Sequence, residues 1–157
     1  LLDYFFLQIR NLWRVDGLYF LGIEKKFGTE AATEVDASVW ESMAQIEAKS
    51  LQKLFNIDEN PDVPTIIDLL RKSSWALDQP FKKIEVTEKR AVLQIIHCRT
   101  QETRLGKRLE EFPCKKVRFG YLKLFAKALN PDTEVNCLVC PPDEHPKSSW
   151  CKWEFRL

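Results

Sequence analysis

Four of the five cysteines in this 157-residue chain have the spacing of a metal shell: Cys114, the C-x-x-C pair Cys137 and Cys140, and Cys151. Zinc takes four soft or borderline ligands at tetrahedral corners, and a C-x-x-C turn supplies two of them from one short stretch of backbone. Cys114 and Cys151 complete the set if the chain between them folds back. Four thiolates fill the shell and leave no position for water, so the zinc this spacing predicts is structural. His145 competes for the fourth corner, but its Pro/Asp/Ser-rich loop ranks it behind Cys114.

The fifth cysteine, Cys98, follows His97. On a strand, adjacent side chains point to opposite faces, so the two cannot act as nucleophile and base there. Cys98 is therefore read as a buried or pocket-lining thiol and kept only as a candidate nucleophile. Recognition chemistry has a second set of residues. Arg10 and Arg14 flank Trp13 at helical spacing and could jointly hold a carboxylate, while Tyr121 and Phe125 offer aromatic wall on the helix after Cys114.

These side chains need elements to place them. The first 75 residues read as helices: Tyr4 to Leu12, Asp16 to Phe27 with Gly28 as its stop, and a long segment to about Phe55. The first two are expected to be largely buried, and on the long helix Val35, Val39, Met43, Ile46 and Leu54 fall on one stripe. Asp58 to Pro64 breaks the pattern before a shorter helix from Thr65 to Ser74, and Trp75 to Pro80 reads as the boundary between a helical half and a sheet half. From Phe81 the period changes. Lys83 to Val86 and Ala91 to Cys98 suit a hairpin, Gln101 to Leu109 a helix, and Phe112-Pro113-Cys114 the start of another running to about Leu129. Thr133 to Val139 and Trp150 to Leu157 then complete four strands. Cys114 is thereby expected in a first helical turn, where free N–H groups favour a thiolate; Cys137 and Cys140 at a strand end, where the Pro141-Pro142 turn can bring both sulfurs to one side; and Cys151 at a strand start. The fold class that follows is α+β: a helical N-terminal half packed on a four-stranded antiparallel sheet, one domain over 1–157, with a zinc site.

Composition agrees with a folded chain. Apolar residues make up 45% and charged residues 30%, and no uncharged apolar run is long enough to span a bilayer. An odd cysteine count with metal-like spacing argues against a disulfide framework and for a cytoplasmic setting. Net charge is only +1, yet residues 104 to 127 gather Arg104, Lys107, Arg108, Lys115, Lys116, Arg118, Lys123 and Lys127 against two glutamates. Such a stripe could bind phosphate, but Val117, Tyr121, Leu124, Phe125 and Ala128 recur at helical spacing, which makes it first of all a solvated helix face.

The segment from Cys98 through Pro113-Cys114, Phe119-Gly120, Cys137-x-x-Cys140 and Cys151-x-Trp153-x-Phe155 resembles the four-vinyl-reductase domain. That domain occurs in bacteriochlorophyll-pathway proteins and in the sensor domains of phenol-responsive activators. The resemblance implies zinc on Cys114, Cys137, Cys140 and Cys151, with Cys137 where the sensors carry a glutamate. It also implies a pocket for a small hydrophobic or aromatic molecule between helices and sheet. Aminothiazoline-carboxylate-hydrolase-like proteins are similar too, and Arg10 to Gly17 resembles a related bacterial and archaeal group of unknown function. Three functions are carried forward: a zinc-stabilised, sensor-like binding domain; a hydrolase of a small cyclic amino-acid derivative using Cys98 and Arg104; and an interaction or nucleic-acid module on the basic stripe, ranked last. A homodimer is left open and no membrane partner is expected.

Overall fold

The computed structural model describes residues 1–79 and 82–157; Pro80 and Phe81, where the sequence suggests the change from helix to sheet, lie outside the described residues. Six helices precede or interrupt four strands in the order α1 (Leu2–Phe27), α2 (Thr29–Leu54), α3 (Val63–Arg71), α4 (Ser74–Asp78), β1 (Lys82–Val86), β2 (Arg90–Ile95), α5 (Arg99–Gly106), α6 (Cys114–Leu129), β3 (Glu134–Val139) and β4 (Cys151–Arg156). The strands form one antiparallel sheet in the order β1-β2-β4-β3. The class is α+β, as the sequence predicts.

The two expected N-terminal helices are a single one. Nothing at Val15-Asp16-Gly17 removes a backbone donor, so α1 runs unbroken to Gly28, whose φ of 91° suits glycine and reverses the chain into α2. The expected burial of this region does not hold. Only Phe20 of α1 is buried, and Leu2, Tyr4 and Leu18 are exposed, because the helix packs mainly along one side, on α2 and α4.

The stripe expected on α2 is also mostly the outer one; Met43 alone of its five residues is half-buried and packs against the core. Val35, Val39, Ile46 and Leu54 are exposed, whereas Ala32, Ala37, Trp40, Ala44 and Ala48 are buried. Small side chains at i, i+3 and i+4 let a neighbouring backbone approach closely, and α6 packs along that alanine ridge. Asp62 caps α3 by accepting from the Thr65 N–H at 2.9 Å, with Pro64 in the first turn, and Ser73 caps α4. The predicted boundary segment is thus largely helix.

Most of the helical packing on the sheet comes from α6. Phe119 stacks on Trp153 of β4 with ring centroids 6.1 Å apart, and α3 is the N-terminal helix that reaches β2. Leu93, Ile95, Trp153 and Phe155 line the covered face at 2% exposure or less. β2 ends at Ile95, three residues short of the predicted end, and the following turn puts Cys98 at the N-cap of α5.

Candidate functional site

Two constellations meet on α6, one turn apart. Cys114 opens the helix as predicted. Its neighbour Lys115 donates its backbone N–H to the Pro141 carbonyl at 2.8 Å and pairs with Asp143, which docks the helix start onto the turn after β3. That turn carries Cys140, and β4 starts beside it at Cys151. The Cys140 thiol lies close enough to the sulfurs of both Cys114 and Cys151 for each to act on its protonation. Cys137, opposite Trp153 on β3, is half-buried and reaches the cluster only through longer-range electrostatics. A register shift between Cys137 and Val139 separates the two halves of the C-x-x-C pair. Among the described residues, no group of three or more His, Cys, Asp or Glu side chains is arranged to hold a metal ion. The thiols of Cys114, Cys140 and Cys151 are free and lie near one another.

Among them the protons are unevenly held. The adjoining Cys140 holds the Cys114 thiol below the usual thiol range despite its burial, and the Arg118 guanidinium adds to this. Cys140 is pushed up by Cys114 and by Cys151 in turn. Cys98 stands close enough to feel Cys114 and Cys151, so all five cysteines gather at one pole. Burial pushes the Cys98 thiol up to about 12, which leaves it a neutral thiol near pH 7. His145 does not join them: its ring sits 3.2 Å from Glu111 and packs on Trp150.

The second constellation is an open cavity of about 490 Å³ lined from α1, α2, α4, α5 and α6. Trp13, Phe20, Leu21 and Phe112 give it an apolar wall, and Arg118 reaches it from α6. Arg118 is only 4% exposed, and its Nε and Nη1 have no hydrogen-bond partner. They lie instead against π faces: the guanidinium carbon is 5.0 to 5.5 Å from the ring centroids of Trp13, Trp40, Trp75 and Tyr121. Trp13 and Trp40 stack at 4.6 Å and 2°, forming one side of this cage.

Facing Arg118 are two carboxyl groups, Asp16 from α1 and Asp36 from α2, both in the cavity wall. Trp40 donates its indole N–H to Asp16 at 3.0 Å, and Asp36 lies close enough to Asp16 for each carboxyl to act on the other's protonation. Desolvation, with the Asp16 charge adding to it, pushes Asp36 up to about 7, and burial raises Asp16 as well. The site therefore holds a guanidinium beside two carboxyl groups, of which Asp36 is pushed up toward neutrality.

Of the residues selected from sequence, Arg10, Trp13 and Arg14 line the cavity. Tyr121 and Phe125 are fully buried; Tyr121 bonds Glu47 at 2.7 Å and forms part of the Arg118 cage, and neither lines the cavity. Arg104 does line it, and is held by two 2.9 Å bonds to Glu24, whose carboxyl that guanidinium holds below the usual range. Of the basic stripe, Arg104 and Arg118 are thus buried, while Lys116, Lys123 and Lys127 form the solvated face. Asp16, Asp36 and Asp78 escape sequence reasoning. Each lies on a different helix, and only the Trp40 heptad position, four residues after Asp36, hints that this face of α2 turns inward.

No helix among the described residues is long and apolar enough to cross a membrane. No curated protein and no solved structure matches this chain. A model of a family of unknown function, DUF6125, matches residues 1–157, and the chain belongs to that family.

Proposed function

We propose that this chain is a small-molecule-binding domain of sensor-like type whose ligand occupies the cavity between α1, α2, α5 and α6. The carrying observation is that cavity: about 490 Å³, walled by Trp13, Phe20 and Phe112, with buried Arg118 and the Asp16–Asp36 pair among its charged groups. This size and this mixture are those of ligand pockets generally. Native mass spectrometry of the purified protein tests it, with Phe20→Ala and Trp13→Ala as controls. A co-purifying small molecule lost in both variants is the expected result, and an empty protein that binds no aromatic probe would overturn it.

Zinc belongs to the same reading. The adjoining sulfurs of Cys114, Cys140 and Cys151, with Cys137 farther off on β3, support a four-thiolate site in which the metal replaces the thiol protons. These four cysteines would hold the ion and supply no open position for chemistry. One zinc per chain by elemental analysis is expected, and none in protein prepared with zinc present rejects it. The likeness to four-vinyl-reductase-type domains is part of this proposal.

A hydrolase is the second reading, favoured by one observation. The Asp16–Asp36 pair supplies the proton-transfer group that Cys98 lacks, since Cys98 is a neutral thiol absent from the cavity wall. Turnover of aminothiazoline carboxylate should then vanish in Asp36→Asn and survive in Cys98→Ala. If the unaltered protein has no such turnover, this reading is lost.

A further inference from the structure

The charges around the cavity do not balance. Its wall contains Arg10, Arg14, Arg99, Arg104, Lys107 and Arg118, against Asp16, Asp36 and Asp78. Three of the six cations have carboxylate partners. Arg104 is bound by Glu24 through both terminal nitrogens, Arg99 lies 3.2 Å from Asp78, and Arg118 faces Asp16 and Asp36.

The other three are left over. Among the described residues, Arg14 reaches only the neutral amide of Asn11, at 2.9 Å. Arg10 feels Asp78, which Arg99 already engages, and Lys107 has no carboxylate partner among the described residues. All three are exposed, so they stand at the rim, whereas the aromatic wall below them is buried or half-buried. Free cations on an open surface are solvated and imply nothing. Here they converge from α1 and from the end of α5 on the mouth of one apolar cavity. Like charges around a low-dielectric opening repel one another and focus a positive field into it, and both effects favour an anion.

We infer that the ligand is an organic anion: a flat or chain-like apolar body that lies against Trp13, Phe20 and Phe112, and a carboxylate head held at the rim by Arg10, Arg14 and Lys107. Arginine suits the role because its planar fork matches carboxylate geometry, and two arginines one helical turn apart can share one head. The inference rests on the binding reading above and names its ligand class.

The probes that test it are benzoate and octanoate, each against its neutral amide, benzamide or octanamide. Titrations are followed by calorimetry and by the indole resonance of Trp13. The carboxylates should bind about tenfold tighter than the amides, the gap expected from three partly exposed charge contacts. That gap should close in the triple variant Arg10→Gln, Arg14→Gln, Lys107→Gln, whose positions are exposed and leave the core intact, and it should shrink as salt rises. Equal affinity for acid and amide overturns the inference while sparing the cavity. A gap that persists in the triple variant, or binding that leaves Trp13 unmoved, overturns it as well, because the head would then sit elsewhere. If none of the four probes binds, the binding reading itself fails and takes the inference with it.

Discussion

The thiol pole and the cavity are built from the same helix and differ in how their parts are brought together. Cys114 and Arg118 are four residues apart on α6, one turned to the strand ends and the other to the helical layer. The thiol pole is assembled from the C-terminal third, where a helix start, a turn and a strand start lie close along the chain. The cavity draws on α1, α2, α4, α5 and α6, which span residues from Arg10 to Arg118. Where the thiol pole ties sheet to helix, the cavity holds charge in an aromatic setting. The Arg118 guanidinium lies against both and makes them one electrostatic system.

The largest effect should come from breaking the pole. Under the zinc proposal, Cys140→Ser removes a ligand and the thiol that adjoins two others at once. Structural zinc contributes on the order of 10 kcal/mol to folding, so the variant should be metal-free and largely unfolded by circular dichroism. Wild-type stability in that variant would reduce the pole to a cluster of free thiols and sharpen the contrast toward the cavity as the sole functional feature.

Next in size is the group the two regions share. Replacing Arg118 by Met leaves the Asp16–Asp36 pair without its cation and removes the guanidinium from between four aromatic rings. Breaking a buried charge pair from one side costs about 3–5 kcal/mol, measurable as a shift in the urea midpoint. A second substitution, Asp36→Asn, should recover part of that loss, because the uncompensated charge is then smaller. Independent, additive effects would mean that the pair and Arg118 do not act together.

Asp36 alone gives a smaller effect with a definite sign. Its folded-state pKa is raised from 3.8 to about 7, so between those values the folded protein binds more protons than the unfolded one. The stability Asp36 contributes is complete below about pH 4 and is lost as pH rises through 7. Asp36→Asn should therefore match wild type at pH 4 and exceed it at pH 8, by roughly 2 kcal/mol once partial exposure halves the full shift. Equal stability at both pH values would mean that Asp36 titrates in its ordinary range.

The same contrast explains what could be read from the sequence. The cysteines were legible because ligand spacing and helix and strand boundaries are local properties; Cys114, Cys140 and Cys151 stand where the sequence puts them. Arg10, Trp13 and Arg14 were legible as a helical cluster. Asp16 and Asp36 were not, because a carboxylate on an amphipathic helix looks solvated until the partner helix is known. Arg118 was hidden within the basic stripe for the same reason. The exposed face of α1 and the outer valines of α2 misled in the opposite direction: apolar periodicity marks a face, and only the alanine ridge reveals which face α6 needs.

That ridge also suggests the smallest test. Gly120 faces α2 in the seam between α2 and α6, on the helix that bears both Cys114 and Arg118. A methyl group there would come within 2.8 Å of Glu41 Cγ and closer still to its carboxylate, so Glu41 must move aside. Glu41 is a flexible side chain near the surface, and alanine gains up to about 1 kcal/mol of helix propensity over glycine. Gly120→Ala should therefore change stability by no more than about 1 kcal/mol by thermal melting, with both regions intact. If it instead lowers ligand affinity and loosens the thiol pole together, the seam between α2 and α6 transmits strain to both, and the two regions are coupled through the backbone of α6 as well as through Arg118.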